Sequence, residues 1–371
     1  MTKILAFDRH RKNMTADTPS SHDLRRSDVP HLSDGASNVI RVLPSSTEML
    51  VSVVVPTRGR PQLLNRCLAS LVLQRFDRSR YEIIIVDDGP SEETRDVVSR
   101  WSATTADSGP RVTYIPSMGP HGPAAARNHG WRAARAPIVA FTDDDTTPRV
   151  DWLKNGVRAF EDGVHAVRGR IVMPLSGTPT DYELDAKNLE TAEFVTANCF
   201  CRKQVLEDLG GFDERFRFAW REDSDLHFRL LDYQARIVYD PSAVVMHPIR
   251  PAAWGVSLQQ VKKVQFDALL YKKHPRLYRS KIRARPRWDF YITVSAILAC
   301  LVALLADMLG AAVASGLVWL VMTGRFCLQR LKQTSKSPAH VAEMIFTSVL
   351  IPPLAVFWRA VGAFRFRVGF L

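Results

Sequence analysis

Five cysteines in 371 residues are few: Cys67, Cys199, Cys201, Cys300 and Cys327. Their number is odd and their spacing matches no metal or redox pattern. That argues against a disulfide framework and for reduced thiols in a cytosolic compartment. Cys199 and Cys201, two apart, point the same way on a strand, as packing residues do. An apolar leader is also lacking. The N-terminus is polar and Arg-rich, so no secretory signal is evident. Zinc-finger spacing and RNA-binding aromatic signatures are absent, which removes nucleic acid as the expected partner. No internal repeat is visible. Charge itself is missing from Phe290 to Gly324, where Asp307 is the only charged residue.

Elsewhere the chain is basic, with a net charge of +12 and a pI near 9.7. Such a balance calls for a polyanionic partner: a nucleoside diphosphate or an anionic membrane surface. Arg276, Arg279, Lys281, Arg283, Arg285 and Arg287 crowd the segment just before the uncharged stretch, a placement that favours lipid headgroups.

Residues 1–48 hold scattered Asp, Ser, Arg and Pro without apolar periodicity and read as a disordered segment. At Val51 the pattern changes. Val51–Val55 and Tyr81–Val86 are buried strands, the first ended by Pro56 and the second by Asp87-Asp88-Gly89-Pro90. Leu63, Leu64, Cys67, Leu68, Leu71 and Val72 recur at helical spacing between them. A helix over Glu92–Trp101, a strand over Val112–Ile115 and a helix over Pro123–Ala134 follow. They lead into the apolar run Pro137–Phe141. This alternation predicts parallel βαβ units with right-handed crossovers. Further on, strands are predicted over Ala166–Met173, Phe194–Cys201 and Ile237–Met246. Helices are predicted over Arg202–Leu209 and Asp223–Asp232. Residues 49–255 therefore read as one α/β domain, followed by a basic amphipathic linker over 256–289.

The uncharged stretch 290–324 is too long for one ordinary crossing and suffices for two. Ala306–Gly310 would make the turn. Basic residues flank both ends, so the positive-inside rule places both in the cytoplasm and predicts a transmembrane hairpin. A last apolar segment, Val341–Phe357, carries Pro352-Pro353 and lies within a basic region, residues 325–371. Positive charge on both sides of it points to a re-entrant or interfacial element, with a third crossing left open.

Asp143-Asp144-Asp145 sits at the carboxyl end of the strand after Pro137, where open α/β sheets bind ligands. Packed carboxylates repel one another and need a cation or water. Their hard oxygens suit Mg²⁺ or Mn²⁺, and Mg²⁺ commonly arrives with a diphosphate. An isolated triplet is also an acidic turn before a helix, with Pro148 in its first turn. Asp87-Asp88 is likewise either an Asp-Gly turn or an acceptor for base or ribose. Gly122–Asn128 opens a helix with small residues, which permits close ligand approach or tight packing.

Taken in order, six segments resemble family 2 glycosyltransferases of the GT-A fold. They are Val53–Thr57, Val86–Gly89, Gly122 through Ala126–Gly130, Phe141–Asp145, Gly210–Asp213 and Arg221–Leu226. The resemblance implies a Rossmann-like, mixed and mainly parallel sheet, with a nucleotide-sugar donor, a UDP-sugar first among candidates. It implies that Pro56, Thr57, Asp87, Asp88 and Arg127 surround the nucleotide, with Asp88 favoured over Asp87 for the base. It implies that Asp143 meets ribose or metal, that Asp144 is the spacer beside the nucleotide, and that Asp145 binds Mg²⁺ or Mn²⁺. His247 is a candidate third metal ligand. Asp223 resembles the family's catalytic base, which implies inversion at the anomeric carbon; otherwise it is only a helix cap. Trp220 and Asn198 are expected on the acceptor or donor-sugar side. One departure counts. Processive members carry Gln-x-x-Arg-Trp after the base, whereas here Gln259-Gln260 precede Val261-Lys262-Lys263. Single-sugar transfer to a membrane-associated or lipid-linked glycan acceptor, at the cytoplasmic membrane with the catalytic domain on the cytoplasmic face, is the expectation. A polyprenyl-phosphate acceptor is the alternative.

Overall fold

The computed structural model describes residues 48–370, so all but the last residue of the expected disordered segment lies outside it. Strand β1 (Val51–Thr57), helix α1 (Pro61–Val72), β2 (Tyr81–Asp87), α2 (Glu92–Thr105), β3 (Arg111–Pro116), α3 (Pro123–Ala133) and β4 (Ile138–Phe141) follow in order. The four strands run parallel, as apolar runs separated by helices dictate. Side chains of β1 alternate between two cores. Val51, Val53 and Val55 pack with Leu64, Leu68 and Trp152 on one face. Val54 packs with α3, Phe212 and Leu226 on the other.

Beyond β4 come β5 (Thr147–Pro148), α4 (Trp152–Arg158), β6 (Val164–Val172), α5 (Asp181–Ala186), β7 (Cys199–Arg202), α6 (Lys203–Asp208), α7 (Glu222–Asp232) and β8 (Arg236–Met246). One eight-stranded sheet has the order β3-β2-β1-β4-β7-β6-β8-β5. Strand β7 is antiparallel to β4 and β6, while β8 is parallel to β6. The carboxyl ends of β1, β2, β4, β6 and β8 therefore share one edge. The strand expected over Phe194–Cys201 is shorter, because a 3₁₀ turn occupies Thr196–Asn198. Asn198 fixes that bend by accepting from Trp152 Nε1 and donating to the Arg170 and Ala243 carbonyls. Pro148 lies in β5 rather than at a helix start.

Residues after β8 pack onto the sheet domain. Helices α8 (Val256–Val261), α9 (Gln265–Lys273) and α10 (Pro275–Leu277, running into a π turn over Tyr278–Ile282) precede three long apolar helices. These are α11 (Trp288–Leu305), α12 (Leu309–Leu331) and α13 (Pro338–Phe366), each long and apolar enough to cross a membrane. Asp307 takes a left-handed φ of 54° in the turn between α11 and α12. Leu298, Leu301, Leu305, Met308 and Leu309 around that turn are exposed.

Helix α13 continues through Pro352-Pro353 and runs about 44 Å at 1.5 Å per residue. Along that length it touches Gly255, α8 and α9. Near its start Glu343 accepts from the Gly255 amide at 2.8 Å. Midway, Ile351 and Ala355 pack with Val261, Val264, Phe290 and Phe326. Near its end Arg365 reaches Gln265 at 3.1 Å, and the Phe366 carbonyl accepts from Lys272. Several of the basic residues expected to face lipid are used internally. Lys281 pairs with Glu193 at 2.6 Å, Arg287 with Asp289, and Arg279 lies over Tyr271.

A methyl group added at Gly362 would collide with the Gln265 backbone. Gly362→Ala is expected to lower stability by roughly 1–3 kcal/mol, the usual cost of overpacking a close contact. The thermal midpoint of the detergent-purified chain reads it; a midpoint at or above the wild type would refute this helix packing.

Candidate active site

Sheet register explains how distant residues meet. The Asp143–Asp145 triplet leaves β4 and runs directly into β5. Thr147 of β5 pairs antiparallel with Met246, the last residue of β8. His247 follows Met246, and its amide donates to the Val172 carbonyl at 2.9 Å. Asp145 and His247 are thereby neighbours, with His247 Nε2 3.7 Å from an Asp145 carboxylate oxygen. Ligand atoms of Asp143, Asp145 and His247 lie within 4.8 Å of one another.

A cleft of about 610 Å³ opens along this edge. Its volume falls within the range of small-molecule sites. Pro56, Thr57, Asp88, Gly122 and Arg127 line one part, Asp143, Asp145 and His247 another, and Trp220 and Asp223 a third. The expected site residues are thus brought together, with three exceptions. Asp87 points away from the cleft and accepts from the Gly89 and Ser91 amides and from the Tyr114 hydroxyl, so its role is that of the turn. Asp144 is fully buried behind the wall, accepting from Thr57 Oγ1 at 2.7 Å and paired with Arg60 at 2.8 Å. Asn198 is equally buried and fixes the bend described above. The triplet forms a turn, closed by the Thr146 amide donating to the Asp143 carbonyl at 3.2 Å, and that turn places Asp143 and Asp145 on the cleft while Asp144 is directed inward.

Asp88 faces the cleft and accepts from the Gly122 amide at 3.0 Å. Gly122 has φ of 127°, and a Cβ there would press on the Arg217 backbone, so only glycine closes this corner. Arg127, 3% exposed, donates to Asp143 Oδ1 at 2.8 Å and to Glu222 Oε1 at 3.2 Å. Its Nε has no hydrogen-bond partner among the described residues. Burial pushes the Asp143 carboxyl up, but Arg127, His247 and Arg60 together hold it below the usual carboxylate range.

Asp223 occupies the first turn of α7. The residue at its N-cap, Arg221, has a left-handed φ of 74°, held by a 2.7 Å ion pair to Asp267 and by stacking on Trp220. Asp223 accepts from the Ser224 amide at 2.6 Å, and burial raises its pKa despite that bond and the nearby Arg221 and Arg127. Glu222 beside it is pushed up to about 7, by burial and then by the charge of Asp223, with Arg127 opposing.

The motif reading missed several residues of the cleft. Arg250 pairs with Asp145 at 3.1 Å, and Arg60 reaches the same carboxylate at 3.5 Å. Tyr182 and Asp185 of α5 line the wall, as does Lys263, whose ammonium group makes no ion pair or hydrogen bond among the described residues. A basic residue three positions past His247 was the available signal for Arg250. Nothing local marks α5.

The donor set of two carboxylates and one imidazole suits a divalent cation such as Mn²⁺ or Mg²⁺. His247 Nδ1 is buried without a hydrogen-bond partner among the described residues. Two guanidinium groups, of Arg60 and Arg250, already gather at the Asp145 carboxylate.

Known proteins share this architecture. Residues 52–210 match the profile of glycosyl transferase family 2, and residues 138–358 match that of glycosyl transferase family group 2. The glycosyltransferase AglE of Haloferax volcanii is 28% identical over 56% of this chain and 69% of its own. The pre-mycofactocin glycosyltransferase of Mycobacterium tuberculosis is 35% identical over 54% of this chain. That match spans 43% of the mycobacterial protein's length. A mannosyltransferase of Pyrobaculum calidifontis, solved with GDP-mannose and Mn²⁺, superposes with a TM-score of 0.52 at 19% identity. The superposition covers 85% of this chain and 88% of that one, and it shows a common GT-A-like fold. The family profiles and named relatives make the chain a glycosyltransferase. Since the second profile spans more than half of the sequence, the chain belongs to glycosyl transferase family group 2.

A carboxyl whose folded pKa stands above its unfolded value stabilises the fold fully below the unfolded pKa. That contribution is lost as pH rises through the folded pKa. For Glu222 the window runs from 4.5 to about 7. Glu222→Gln is expected to flatten the fall of melting temperature across that window; an unaltered slope would refute the assignment.

Proposed function

We propose that this glycosyltransferase is metal-dependent and inverting, and that it moves one sugar from a nucleoside-diphosphate sugar to a membrane-associated acceptor. The observation that carries the reading is the convergence of Asp143, Asp145, His247 and Asp223 on one cleft. The nucleoside would lie between Thr57, Asp88 and Gly122. Asp145, Asp143 and His247 would hold the cation. Mg²⁺ or Mn²⁺ bound there supplies Lewis-acid stabilisation of the departing diphosphate. Arg127 keeps Asp143 ionised and in place. Asp223 receives the acceptor proton on its carboxylate as the acceptor oxygen attacks the anomeric carbon. Its raised pKa improves it as a base. One base acting by direct displacement gives inversion.

Transfer of one sugar per encounter agrees with Val261-Lys262-Lys263 standing where processive members place their motif. Two apolar helices also enclose no polymer channel. We place the α11–α12 hairpin across the cytoplasmic membrane, with the catalytic half on the cytoplasmic side, because the basic residues lie at its base. Helix α13 touches the catalytic half from Glu343 to Phe366 and is read as lying in the interface rather than crossing it. A polyprenyl phosphate is the second reading of the acceptor, favoured by the uncommitted Lys263 in the cleft. Labelled sugar recovered in an alkali-stable, acid-labile lipid would establish it.

Asp223→Asn is expected to lower transfer by about 10²- to 10⁴-fold, the span of general-base contributions, while nucleotide binding persists. Undiminished turnover would sink the base assignment. In the same assay Asp145→Ala should abolish both activity and the metal dependence of UDP or GDP binding. Metal-dependent binding that survives the change would place the ion elsewhere.

A further inference from the structure

Arg330 lies near the carboxyl end of α12, and its side chain is fully buried. Nε and Nη2 both donate to one carboxylate oxygen of Asp181, at 3.1 and 3.0 Å. Nη1 donates to Thr347 Oγ1 at 2.6 Å and Ser348 Oγ at 3.2 Å on α13. Nη2 also reaches Ser257 Oγ on α8 at 3.4 Å. One guanidinium therefore ties together α12, α13, α8 and α5.

Asp181 is the first residue of α5, whose Tyr182, Asp185 and Ala186 line the cleft. This helix has six residues, too few to persist without outside support. A capping box between Thr180 and Glu183 orders its start. A second tether runs from the same membrane-side segment: the Ser335 amide, just after α12, donates to the Pro179 carbonyl at 2.8 Å. Both contacts link the end of the apolar hairpin to the wall of the cleft, and neither touches the metal cluster or Asp223.

We propose that Arg330 is a positioning residue for sugar transfer: by gripping Asp181 it fixes the α5 wall, so that the cleft is complete only while the α11–α12 hairpin is seated against the catalytic domain. This rests on the reading of that cleft as the site of transfer. Hairpin seating would then govern turnover without governing nucleotide affinity, because the residues that surround the nucleotide are carried by β1, β2, α3 and β4.

The test uses the full chain in phosphatidylcholine–phosphatidylglycerol nanodiscs, with R330M, D181N and R330K. Mn²⁺-dependent binding of UDP and GDP, turnover of the matching nucleotide sugars, and amide hydrogen exchange are measured. R330M and D181N are expected to keep nucleotide affinity within about twofold and to lose about 10- to 100-fold in turnover, as misplacement of a site wall does. Exchange should quicken at residues 181–191 while β1 and β2 stay protected, and R330K should recover part of both. Unchanged turnover with unchanged exchange at 181–191 would overturn the proposal. So would a collapse of nucleotide binding and of β1 protection in all three variants, which marks a purely structural role. A wild type that binds neither nucleotide with Mn²⁺ would sink the donor-site reading, whereas the exchange measurement judges the latch by itself.

Discussion

Arg127 stands between the two halves of the cleft. Its guanidinium donates to Asp143, of the Asp143–Asp145–His247 cluster, and to Glu222, beside Asp223. Asp143, Asp145, Glu222 and Asp223 would otherwise crowd like charges into a partly dry space, where repulsion and lost solvation act together. Removing one partner from such a buried pair typically costs 3–5 kcal/mol, since an uncompensated charge remains. The small residues that open α3, from Gly122 to Ala126, let that helix sit close enough to the sheet for Arg127 to reach both carboxylates. Gly130, one turn on, meets Val54 and Val86 so closely that a methyl group would not fit. A helix packed flush on the sheet is therefore the condition for joining the Asp143–Asp145 carboxylates to the candidate base.

The second constraint is the backbone before α7. A left-handed φ at arginine is uncommon and costs of order 1–3 kcal/mol, so it persists only where its surroundings enforce it. At Arg221 the enforcement comes from Asp267 on α9 and from the Trp220 ring, whose Nε1 donates to the same Asp267. The turn that aims Asp223 into the cleft is thus held by a helix that itself packs on α13. Catalytic geometry and the membrane-side helices share one set of contacts.

Much of the α/β half could be read from the chain because parallel strands buried on both faces leave continuous apolar runs. Val51–Val55, Tyr81–Val86 and Pro137–Phe141 say strand without ambiguity. Their carboxyl ends share one edge for topological reasons, so the convergence of Asp88, Asp143, Asp145 and His247 on one cleft was legible too. What stayed hidden was direction. Asp87 and Asp88 are equivalent in sequence, and only the turn bonds to Gly89 and Ser91 decide that Asp87 faces inward. Asn198 has the chemistry of a ligand-binding amide, but three bonds to its own fold use it up. Arg250, Arg60 and Arg330 act through partners far along the chain, and no local pattern records such pairs. Helix α13 was ambiguous for a related reason. Its hydropathy is that of a span, whereas its position follows from polar and close backbone contacts to α8 and α9.

Helix α8 and the turn after it show how one short segment serves two surroundings. Val261 and Val264 pack with Phe290, Phe326, Ile351 and Ala355, and Ser257 meets Arg330. Gln260, Lys262 and Lys263 line the cleft from the opposite face. A segment of about nine residues therefore separates the cleft from three helices long and apolar enough to cross a membrane. The proposed lipid-borne acceptor would have only that thickness to cross to reach Asp223. Lys262 is held over the Phe218 ring at 5.2 Å, whereas Lys263 stays uncommitted among the described residues. The basic face of this segment meets the cleft and its apolar face meets the membrane helices, the arrangement that an anionic headgroup on an apolar tail requires.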